Sequence, residues 1–469
     1  MDCGPVRARE VPLNRLPLIG VSGGNPHLLE TRDGRPFLML GDTAWELFHR
    51  LTIEEIDTYF ETRARQSFNM VWANLLPEFD GLRTPNRYGD KPLIDLDPAK
   101  PNDRYFRFVD QVLQIAENRG LYLGLLPAWG DKITAPWGDG PRIFGLDNLD
   151  RIRTYAGWLG ERYSNATNIL WVLGGDRPAR LFGEPGGFPM RNALDAGLPP
   201  DSDWTPIWRT MATGLRDAGA TQLMTYHPQG GSQSTSMFLH DEAWLDMNAM
   251  QSGHGGGHDV PVWESVSRDY ALTPIKPTFD AEPNYEDHPV NPWPVWDPAT
   301  GFFDDFDIRK QVYRSIFAGG CGVIYGNHCV WQFASDRYKP ILEVRHPWKE
   351  AILSPGAESM VHLRSLLSDV DFFGLVPDQS RILGDPGAGA SHARALRSES
   401  ETLVYVPDGR SIEIDLAWTA SRSIKIEEFD PQTGAREWVI APRSPDARSY
   451  LSRKVRAGKD RVVVVRLCQ

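Results

Sequence analysis

Short apolar runs alternate with longer amphipathic segments through most of this chain. Runs of about four to eight apolar residues, bounded by polar segments, are typical of strands buried in a parallel sheet. Eight such runs occur, and they are Phe37–Leu40, Met70–Leu76, Leu121–Leu126, Ile169–Leu173, Gln222–Tyr226, Trp244–Met250, Pro277–Asp280 and Gly322–Tyr325. The segments between them repeat apolar residues at helical spacing. The pattern therefore predicts strands and helices in alternation.

Two of the intervening segments carry explicit helix signals. Thr52 stands three residues before Glu55, the spacing of a capping box, so a helix is predicted to begin there. The next segment has one apolar face followed by a glycine stop, made of Phe106, Val109, Leu113, Ala116 and Gly120.

Eight strands with helices between them predict a (β/α)₈ barrel over residues 37–368, enlarged by insertions. A doubly wound parallel sheet is the alternative. It is disfavoured because no glycine-rich phosphate loop follows the first strand.

The segments on either side of the predicted barrel have a different pattern. Residues 1–36 are predicted to be an extension and a hairpin, with Val21–Thr31 leading to a turn at Asp33-Gly34. Residues 369–469 are predicted to be an antiparallel β-sandwich because short strand-like runs alternate there with turn signals. Its strands are predicted at Leu403–Val406, Ile412–Leu416, Ile424–Phe429, Glu437–Ile440 and Val462–Leu467.

Composition narrows the possible partners. The formal net charge of -12 argues against nucleic acid, whose phosphates require clustered Lys and Arg. No stretch approaches the roughly 20 apolar residues of a membrane span. Residues 1–18 contain no apolar run of signal-peptide type, so a cytoplasmic location is expected. The four cysteines form no CxxC motif and are expected to be free thiols; they are Cys3, Cys321, Cys329 and Cys468.

Polar clusters follow almost every predicted strand, and in a (β/α)₈ barrel the carboxyl ends of the strands carry the catalytic groups. Asp176 follows the fourth strand and Glu282 follows the seventh. Cleavage of a glycosidic bond needs two carboxyl groups, one to protonate the leaving oxygen and one to act as nucleophile or base. Asp176 could instead pair with Arg177 or cap a helix, and Glu282 could form an ion pair within its acidic loop.

Further strand-end residues are candidates for substrate binding. The predicted set is Asp42, Trp45, Glu78, Trp129, Asp131, Lys132, Tyr226, His227, His254, Tyr285, His328 and Trp331. Asp42, Asp131 and Asp280 either bind sugar hydroxyls or hold neighbouring side chains. His227 and His328 are expected to donate hydrogen bonds to the substrate or to the carboxylates. The tryptophans, with Trp137, either stack on a sugar ring or pack the loops.

No cofactor or metal is expected. His254 and His258 are separated by three glycines, which does not match a helical histidine pair, and no third ligand is apparent.

The strand-end motifs resemble those of the apiosidase-like glycoside hydrolases, family 140, also called domain of unknown function 4038. The similar blocks run from about residue 20 to 365. They are Gly41-Asp42-Thr43-Ala44-Trp45, Asn86-Arg87-Tyr88-Gly89-Asp90, Pro127-Ala128-Trp129-Gly130-Asp131-Lys132, Trp171-Val172-Leu173-Gly174-Gly175-Asp176-Arg177, Met224-Thr225-Tyr226-His227-Pro228, Gln251-Ser252-Gly253-His254 and Glu282-Pro283-Asn284-Tyr285-Glu286-Asp287-His288. The tail resembles the collagen-binding-type β-domain that often follows this barrel.

The resemblance implies that Asp176 and Glu282 are the catalytic pair and that the substrate is an apiose-containing pectin side chain. With the usual roles of these strands, Glu282 is expected to be the nucleophile and Asp176 the acid/base, with retention of configuration. A short plant-derived oligosaccharide or glycoside fits a cytoplasmic protein better than a polymer. A non-catalytic carbohydrate-binding barrel and a metal-dependent hydrolase are the alternative functions.

Overall fold

The computed structural model describes residues 15–134, 138, 140–184, 189–231, 233–420, 422–439, 448–456 and 458–468. Eight parallel strands form the wall of a barrel. They are β1 (Met39–Thr43), β2 (Met70–Asn74), β3 (Tyr122–Leu126), β4 (Ile169–Gly174), β5 (Met224–His227), β6 (Asn248–Gln251), β7 (Thr278–Asp280) and β8 (Gly322–Tyr325). The hydrogen-bonded order is β5-β4-β3-β2-β1-β8-β7-β6, and the short strand Gln233–Ser234 pairs antiparallel with β6.

The barrel closes between β5 and β6 through single bonds rather than a ladder. The Asp246 N–H donates to the Met224 carbonyl at 2.9 Å, and the Thr225 hydroxyl donates to the Met247 carbonyl at 3.0 Å. One helix follows each strand. The eight are α1 (Ile53–Arg65), α2 (Asp103–Asn118), α3 (Leu149–Tyr163), α4 (Thr205–Asp217), α5 (Ser236–Leu239), α6 (Val262–Tyr270), α7 (Asp305–Phe317) and α8 (Pro355–Ser368). Shorter helices at Leu47–Arg50, Met190–Asp195, His328–Trp331 and Trp348–Ala351 lie in the connecting segments.

The structure confirms the predicted (β/α)₈ barrel and the capping box that begins α1 at Thr52. The boundary of the first strand was wrong. Phe37 belongs to the two-residue strand Pro36–Phe37, and the barrel strand runs from Met39 to Thr43. The end of this strand was missed because Gly41, Asp42 and Thr43 do not continue the apolar run. The sixth strand was also predicted too long, because Trp244 and Leu245 pack in the helix layer before β6 begins.

The predicted hairpin is one part of a small antiparallel sheet made of Ile19–Val21, Leu29–Thr31 and Pro36–Phe37. Residues 1–14 of the predicted extension, with Cys3, lie outside the described residues. Cys321, Cys329 and Cys468 are free thiols. Among the helices that the structure describes, none combines the length and apolar character needed to cross a membrane.

The C-terminal part consists of two antiparallel sheets, which confirms the predicted all-β character. Its strands are β9 (Val376–Pro377), β10 (Ile382–Leu383), β11 (Arg394–Arg397), β12 (Glu401–Val406), β13 (Glu413–Asp415), β14 (Ile424–Phe429), β15 (Arg436–Val439), β16 (Ser449–Leu451) and β17 (Arg461–Leu467). The sheets have the orders β9-β11-β12-β17-β14-β15 and β10-β13-β16. Ile414, Val404 and Val463 are among the apolar residues that pack between them. Ile440, the predicted end of one strand, lies outside the described residues.

Helix α7 joins the barrel to the sandwich. Every residue of α7 from Asp307 to Phe317 is buried, which requires cover on both sides of the helix. The sandwich supplies that cover, since Tyr405 stacks on Tyr313 with ring centroids 4.9 Å apart. Beside this pair, Arg309 Nε lies 3.2 Å from Asp460 Oδ2, and both side chains are almost fully buried.

We expect Asp460→Ala to lower the free energy of unfolding by about 3 kcal/mol, because it leaves a buried guanidinium with only Asp305 as an anionic partner. The midpoint of urea unfolding measures the change. Glu437→Ala is the control, because it removes an exposed partner of Arg453 and should leave the midpoint nearly unchanged. Equal effects of the two substitutions would contradict a supporting role for the Arg309–Asp460 pair.

Candidate active site

A sharp turn after β4 positions Asp176. Gly174, Gly175 and Asp176 have φ angles of +87°, +117° and +51°, the left-handed region in which glycine is favoured and aspartate is tolerated. A Cβ on Gly175 would lie 2.8 Å from both the Gly130 nitrogen and a Trp129 ring atom, so the turn leaves no room for a side chain there. The Tyr226 hydroxyl donates to the Arg177 carbonyl at 2.8 Å and fixes the far end of the turn.

The Asp176 carboxyl lies at the mouth of the barrel, where 32% of its side chain is exposed. Arg177 Nη1 contacts Asp176 Oδ2 at 2.9 Å. The surrounding protein still removes enough water to raise the pKa of Asp176. The Arg177 charge opposes this increase, and the negative charge of Glu282 adds to it. Asp176 is therefore a carboxyl group that a substrate can reach and whose pKa lies above its ordinary value.

Glu282 lies deeper, with 8% of its side chain exposed, and each of its oxygens meets an imidazole. His227 Nε2 is 2.9 Å from Oε2, and His254 Nε2 is 3.0 Å from Oε1. Burial alone would raise the pKa of Glu282, but the two imidazole contacts outweigh it and lower the pKa to about 2. Glu282 is therefore a carboxylate at neutral pH.

Backbone groups decide which nitrogen of each imidazole carries the proton. The Asp176 N–H donates to His227 Nδ1 at 3.1 Å, and the Tyr285 N–H donates to His254 Nδ1 at 3.3 Å. An imidazole that accepts at Nδ1 carries its proton on Nε2 when neutral. Both neutral rings therefore carry their proton on Nε2. His254 Nε2 is hydrogen-bonded to Glu282 Oε1, whereas His227 Nε2 lies 2.9 Å from Oε2 without hydrogen-bond geometry. The contact from Asp176 to His227 also links the two carboxyl-bearing segments.

Two further histidines pack outward from this pair. His288 stacks on His254 with centroids 4.0 Å apart, and His328 meets His288 edge-on at 4.6 Å. Burial lowers the pKa of His288 well below its usual value and lowers that of His328 to about 3. Both rings are therefore neutral at neutral pH and add no charge beside Glu282.

Aromatic side chains enclose His227. Trp45 meets the imidazole edge-on at 5.4 Å, and Trp129 lies 5.8 Å away. The Trp45 indole N–H donates to the Tyr285 hydroxyl at 3.2 Å. Trp45, Trp129 and Tyr285 each expose only 2% of their surface, and Trp331 exposes 8%. These side chains therefore pack the walls of the site, and their stacking on a sugar ring stays a prediction.

Five predicted substrate-binding residues have almost no exposed surface. Asp42, Asp131, Lys132 and His328 are completely buried, and Tyr226 exposes 1% of its surface. Their role in binding a substrate stays a prediction.

Contacts with neighbouring protein groups account for this burial. Asp42 Oδ2 accepts from Arg63 at 2.6 Å and from Tyr59 at 2.5 Å, both on α1. Lys132 Nζ lies 3.0 Å from Asp131 and also donates to the Phe79 and Gly140 carbonyls at 3.3 and 3.0 Å, so the pair fastens loops together. His328 Nε2 lies 3.1 Å from the Ile341 carbonyl rather than near a carboxylate.

Glu78 is the one partly exposed carboxyl beside Asp176 among the predicted substrate-binding residues. Its backbone is fixed by Glu46, whose carboxylate accepts from the Glu78 N–H at 3.3 Å. Burial raises the pKa of Glu78 well above its usual value, and the charges of Asp131 and Glu46 add to the increase. Its position next to the mouth keeps it a candidate for binding a sugar hydroxyl.

The glycine-linked histidines do not converge on a common point. His254 contacts Glu282, whereas His258 Nδ1 contacts Asp307 at 2.9 Å. Within the described ranges, no group of three or more His, Cys, Asp or Glu side chains is arranged to hold a metal ion. Trp137, one of the predicted mouth tryptophans, lies outside the described residues.

Three site residues were not selected from the sequence, namely Arg177, Gly175 and His288. Arg177 was considered only as an ion-pair alternative for Asp176, yet it contacts the carboxylate without removing it from the mouth. His288 follows Glu282 by six positions in a segment rich in polar residues, and that position at a strand end was the signal that could have found it.

Two family models together match most of the chain. A family model described as "Apiosidase-like, catalytic domain" matches residues 24–374, and one described as "Putative collagen-binding domain of a collagenase" matches residues 376–466. No curated protein is similar enough to the chain to count as a match.

Solved structures match over nearly the whole chain. One is described as a glycoside hydrolase; it is 26% identical, with a TM-score of 0.81, and the match covers 96% of this chain and 97% of the other. Another is a glycoside hydrolase family 5 protein from Bacteroides vulgatus; it is 27% identical, with a TM-score of 0.80, over 96% of this chain and 93% of the other.

We expect Gly175→Ala to lower kcat/KM by about 10²-fold, because a methyl group in the turn displaces Asp176 relative to His227. Hydrolysis of an aryl glycoside that the wild type cleaves measures the change. Gly219→Ala is a matched control. Its φ of +94° imposes a similar backbone strain, but its Cβ would have only an ordinary contact with Ser164 at 3.7 Å, so activity should be retained. Equal losses of activity would show that turn geometry at Asp176 is not the cause.

Proposed function

The chain belongs to the apiosidase-like family of glycoside hydrolases, and on that premise we propose that it cleaves glycosides of a furanose sugar such as apiose by a retaining mechanism. The observation that carries the proposal is the unequal treatment of the two carboxyl groups. Two imidazoles contact the buried Glu282 and lower its pKa to about 2, whereas Asp176 lies partly exposed at the mouth and has a pKa raised above its ordinary value. Such a separation of pKa values assigns the base or nucleophile to one group and the acid to the other.

In the proposed reaction, a Glu282 oxygen attacks the anomeric carbon and forms a glycosyl–enzyme ester. Asp176 gives its proton to the glycosidic oxygen as that bond breaks, and the alcohol leaves. Asp176, now a carboxylate, takes a proton from water as the water oxygen attacks the anomeric carbon and breaks its bond to Glu282. Glu282 is released as a carboxylate and Asp176 is protonated again. The imidazoles stabilise the carboxylate form of Glu282 at the start and end of the cycle.

Two observations support a substrate class. Support for an apioside comes from the family model, and support for a small substrate comes from the near-complete burial of Trp45, Trp129 and Tyr285, which leaves little aromatic surface for a long sugar chain. We propose plant-derived oligosaccharides or glycosides, including fragments of pectin side chains. A carbohydrate-binding protein without activity is the second possibility, and a panel of aryl furanosides and pyranosides that bind but are not cleaved would favour it.

We expect Glu282→Gln to lower kcat by at least about 10⁴-fold on every substrate, since an amide cannot form the ester. Asp176→Asn should lower kcat about 10²–10⁴-fold on an alkyl glycoside, whose leaving group needs a proton. It should have much less effect on a dinitrophenyl glycoside of the same sugar, whose leaving group departs as an anion. Steady-state rates on the two substrates measure this difference. Glu437→Gln, on the exposed β15, serves as the control.

Near-normal rates for Glu282→Gln would contradict the assignment of the nucleophile. If Asp176→Asn lost activity equally on both substrates, Asp176 would not be the acid. The mechanism also predicts the first product to have the anomeric configuration of the substrate. Proton NMR of the product during the first minutes of reaction tests this, and an inverted product would exclude the ester intermediate.

The pH profile of kcat/KM should respond to His254. The active form has Glu282 ionised, so activity falls as the pH drops through the pKa of Glu282, which the imidazoles lower to about 2. The active form also has Asp176 protonated, so activity falls as the pH rises through the elevated pKa of Asp176. We expect His254→Ala to move the acidic limb upward, toward the ordinary glutamate value of 4.5, and to leave the basic limb in place. His254→Gln, which keeps an N–H donor, should move the acidic limb less, and an unchanged limb in both variants would contradict this account.

A further inference from the structure

Asp280 is a buried carboxylate whose contacts are all with neutral groups. It ends β7 and is completely buried. Its Oδ2 accepts from the Ser252 hydroxyl at 2.6 Å, and its Oδ1 accepts from the backbone N–H groups of Ser252 and Glu282, each at 3.3 Å. Within the part of the chain that the structure describes, no ion pair involves Asp280. Asp42 and Asp460, by contrast, are paired with Arg63 and Arg309.

The absence of a cation among these contacts makes the position costly. Burying a carboxylate costs several kcal/mol unless its attraction to nearby groups offsets the loss of water. At Asp280, burial outweighs the hydrogen bonds and raises the pKa to about 6. The three donors are all backbone or hydroxyl groups at the ends of β6 and β7. These donors fix the ends of β6 and β7, and Asp280 therefore acts on the loops that follow those strands.

The donors belong to a row of bonds that joins the loops after β6 and β7. The strands pair only as far as Met250 and Asp280. Beyond them, the Gly253 N–H donates to the Glu282 carbonyl at 2.8 Å, and the Asn284 amide donates to the Gly253 carbonyl at 2.7 Å. The row continues to the bond from the Tyr285 N–H to His254 Nδ1. It therefore carries the register of the two strands into the loops that contain Glu282 and His254.

We propose that Asp280 is a positioning residue, which holds the loops after β6 and β7 in the register that brings His254 Nε2 to Glu282. The expected effect on catalysis rests on the proposed function, whereas the expected effect on the contact between His254 and Glu282 does not. Without the Asp280 carboxylate, the N–H groups of Ser252 and Glu282 lose their acceptor. The loops are then free to shift, and the 3.0 Å contact between His254 and Glu282 is lost.

A series of variants separates positioning from general stability. Asp280→Ala removes all three bonds. It should lower kcat about 10²-fold, with a smaller change in KM, and it should move the acidic limb of the pH profile upward. Asp280→Asn is the conservative variant. Its amide oxygen can still accept from both N–H groups, and the Ser252 hydroxyl can rotate to accept from its NH₂ group. We therefore expect Asp280→Asn to keep most of the activity and the wild-type acidic limb.

The geometry can be tested without any substrate. In protein carrying ¹⁵N-labelled histidine, the nitrogen shifts of His254 report that Nδ1 is an acceptor and Nε2 is protonated, and His254→Gln identifies its signals. Asp280→Ala should shift these signals, whereas Asp280→Asn should not. If Asp280→Ala does not fold, Ser252→Ala should show a smaller shift in the same direction, because it removes only the 2.6 Å bond.

Unchanged His254 signals in folded Asp280→Ala, or in Ser252→Ala where the first variant does not fold, would overturn the proposal. So would a folded Asp280→Ala enzyme with the wild-type acidic limb. Failure of the proposed function looks different. In that case the wild-type protein cleaves no glycoside in the panel, and the histidine spectra alone decide the role of Asp280.

Discussion

The rest of the site depends on keeping the buried carboxylate of Glu282 charged. A carboxylate removed from water is unstable unless polar groups replace the water, and here one imidazole hydrogen-bonds to it and a second lies 2.9 Å away. Those imidazoles stand at the ends of β5 and β6. Their other nitrogens are occupied by backbone N–H groups from the segments after β4 and β7. Four neighbouring strand ends must therefore be in register for one charge to be stable.

The contacts of Glu282 lie at the junction where the barrel closes, between β5 and β6. Strand β5 and the segment before β6 are joined by three hydrogen bonds, two between Met224 and Asp246 and one from Thr225 to Met247. His227 and His254 stand on either side of that junction, and both contact Glu282. The Glu282 carboxylate thus contacts histidines on both sides of this junction in the barrel wall. The position of Glu282 and the closure of the barrel are therefore coupled.

The sequence allowed the barrel to be predicted, together with the positions of Asp176 and Glu282, because alternating strands and helices leave a strong pattern and strand ends are polar. It could not show which face of a strand each residue occupies. Tyr226 and His227 are adjacent on β5, yet His227 points to the carboxylate and Tyr226 points into the helix layer. Asp42 is a second example, since its partner Arg63 stands on α1. In a strand buried on both faces, hydrophobicity does not mark which residues point inward.

The C-terminal sandwich contributes to this arrangement through α7. Gln311 on α7 donates to the Asn284 side chain at 3.2 Å, and Asn284 in turn donates to the Gly253 carbonyl, between Glu282 and His254 in the row of loop contacts. Helix α7 keeps its position because the sandwich covers its outer side, with Tyr405 on Tyr313 and Asp460 on Arg309. If the sandwich were only a tethered binding module, α7 would need a solvated outer face. The burial of that face makes the sandwich part of the support beneath the loops after β6 and β7.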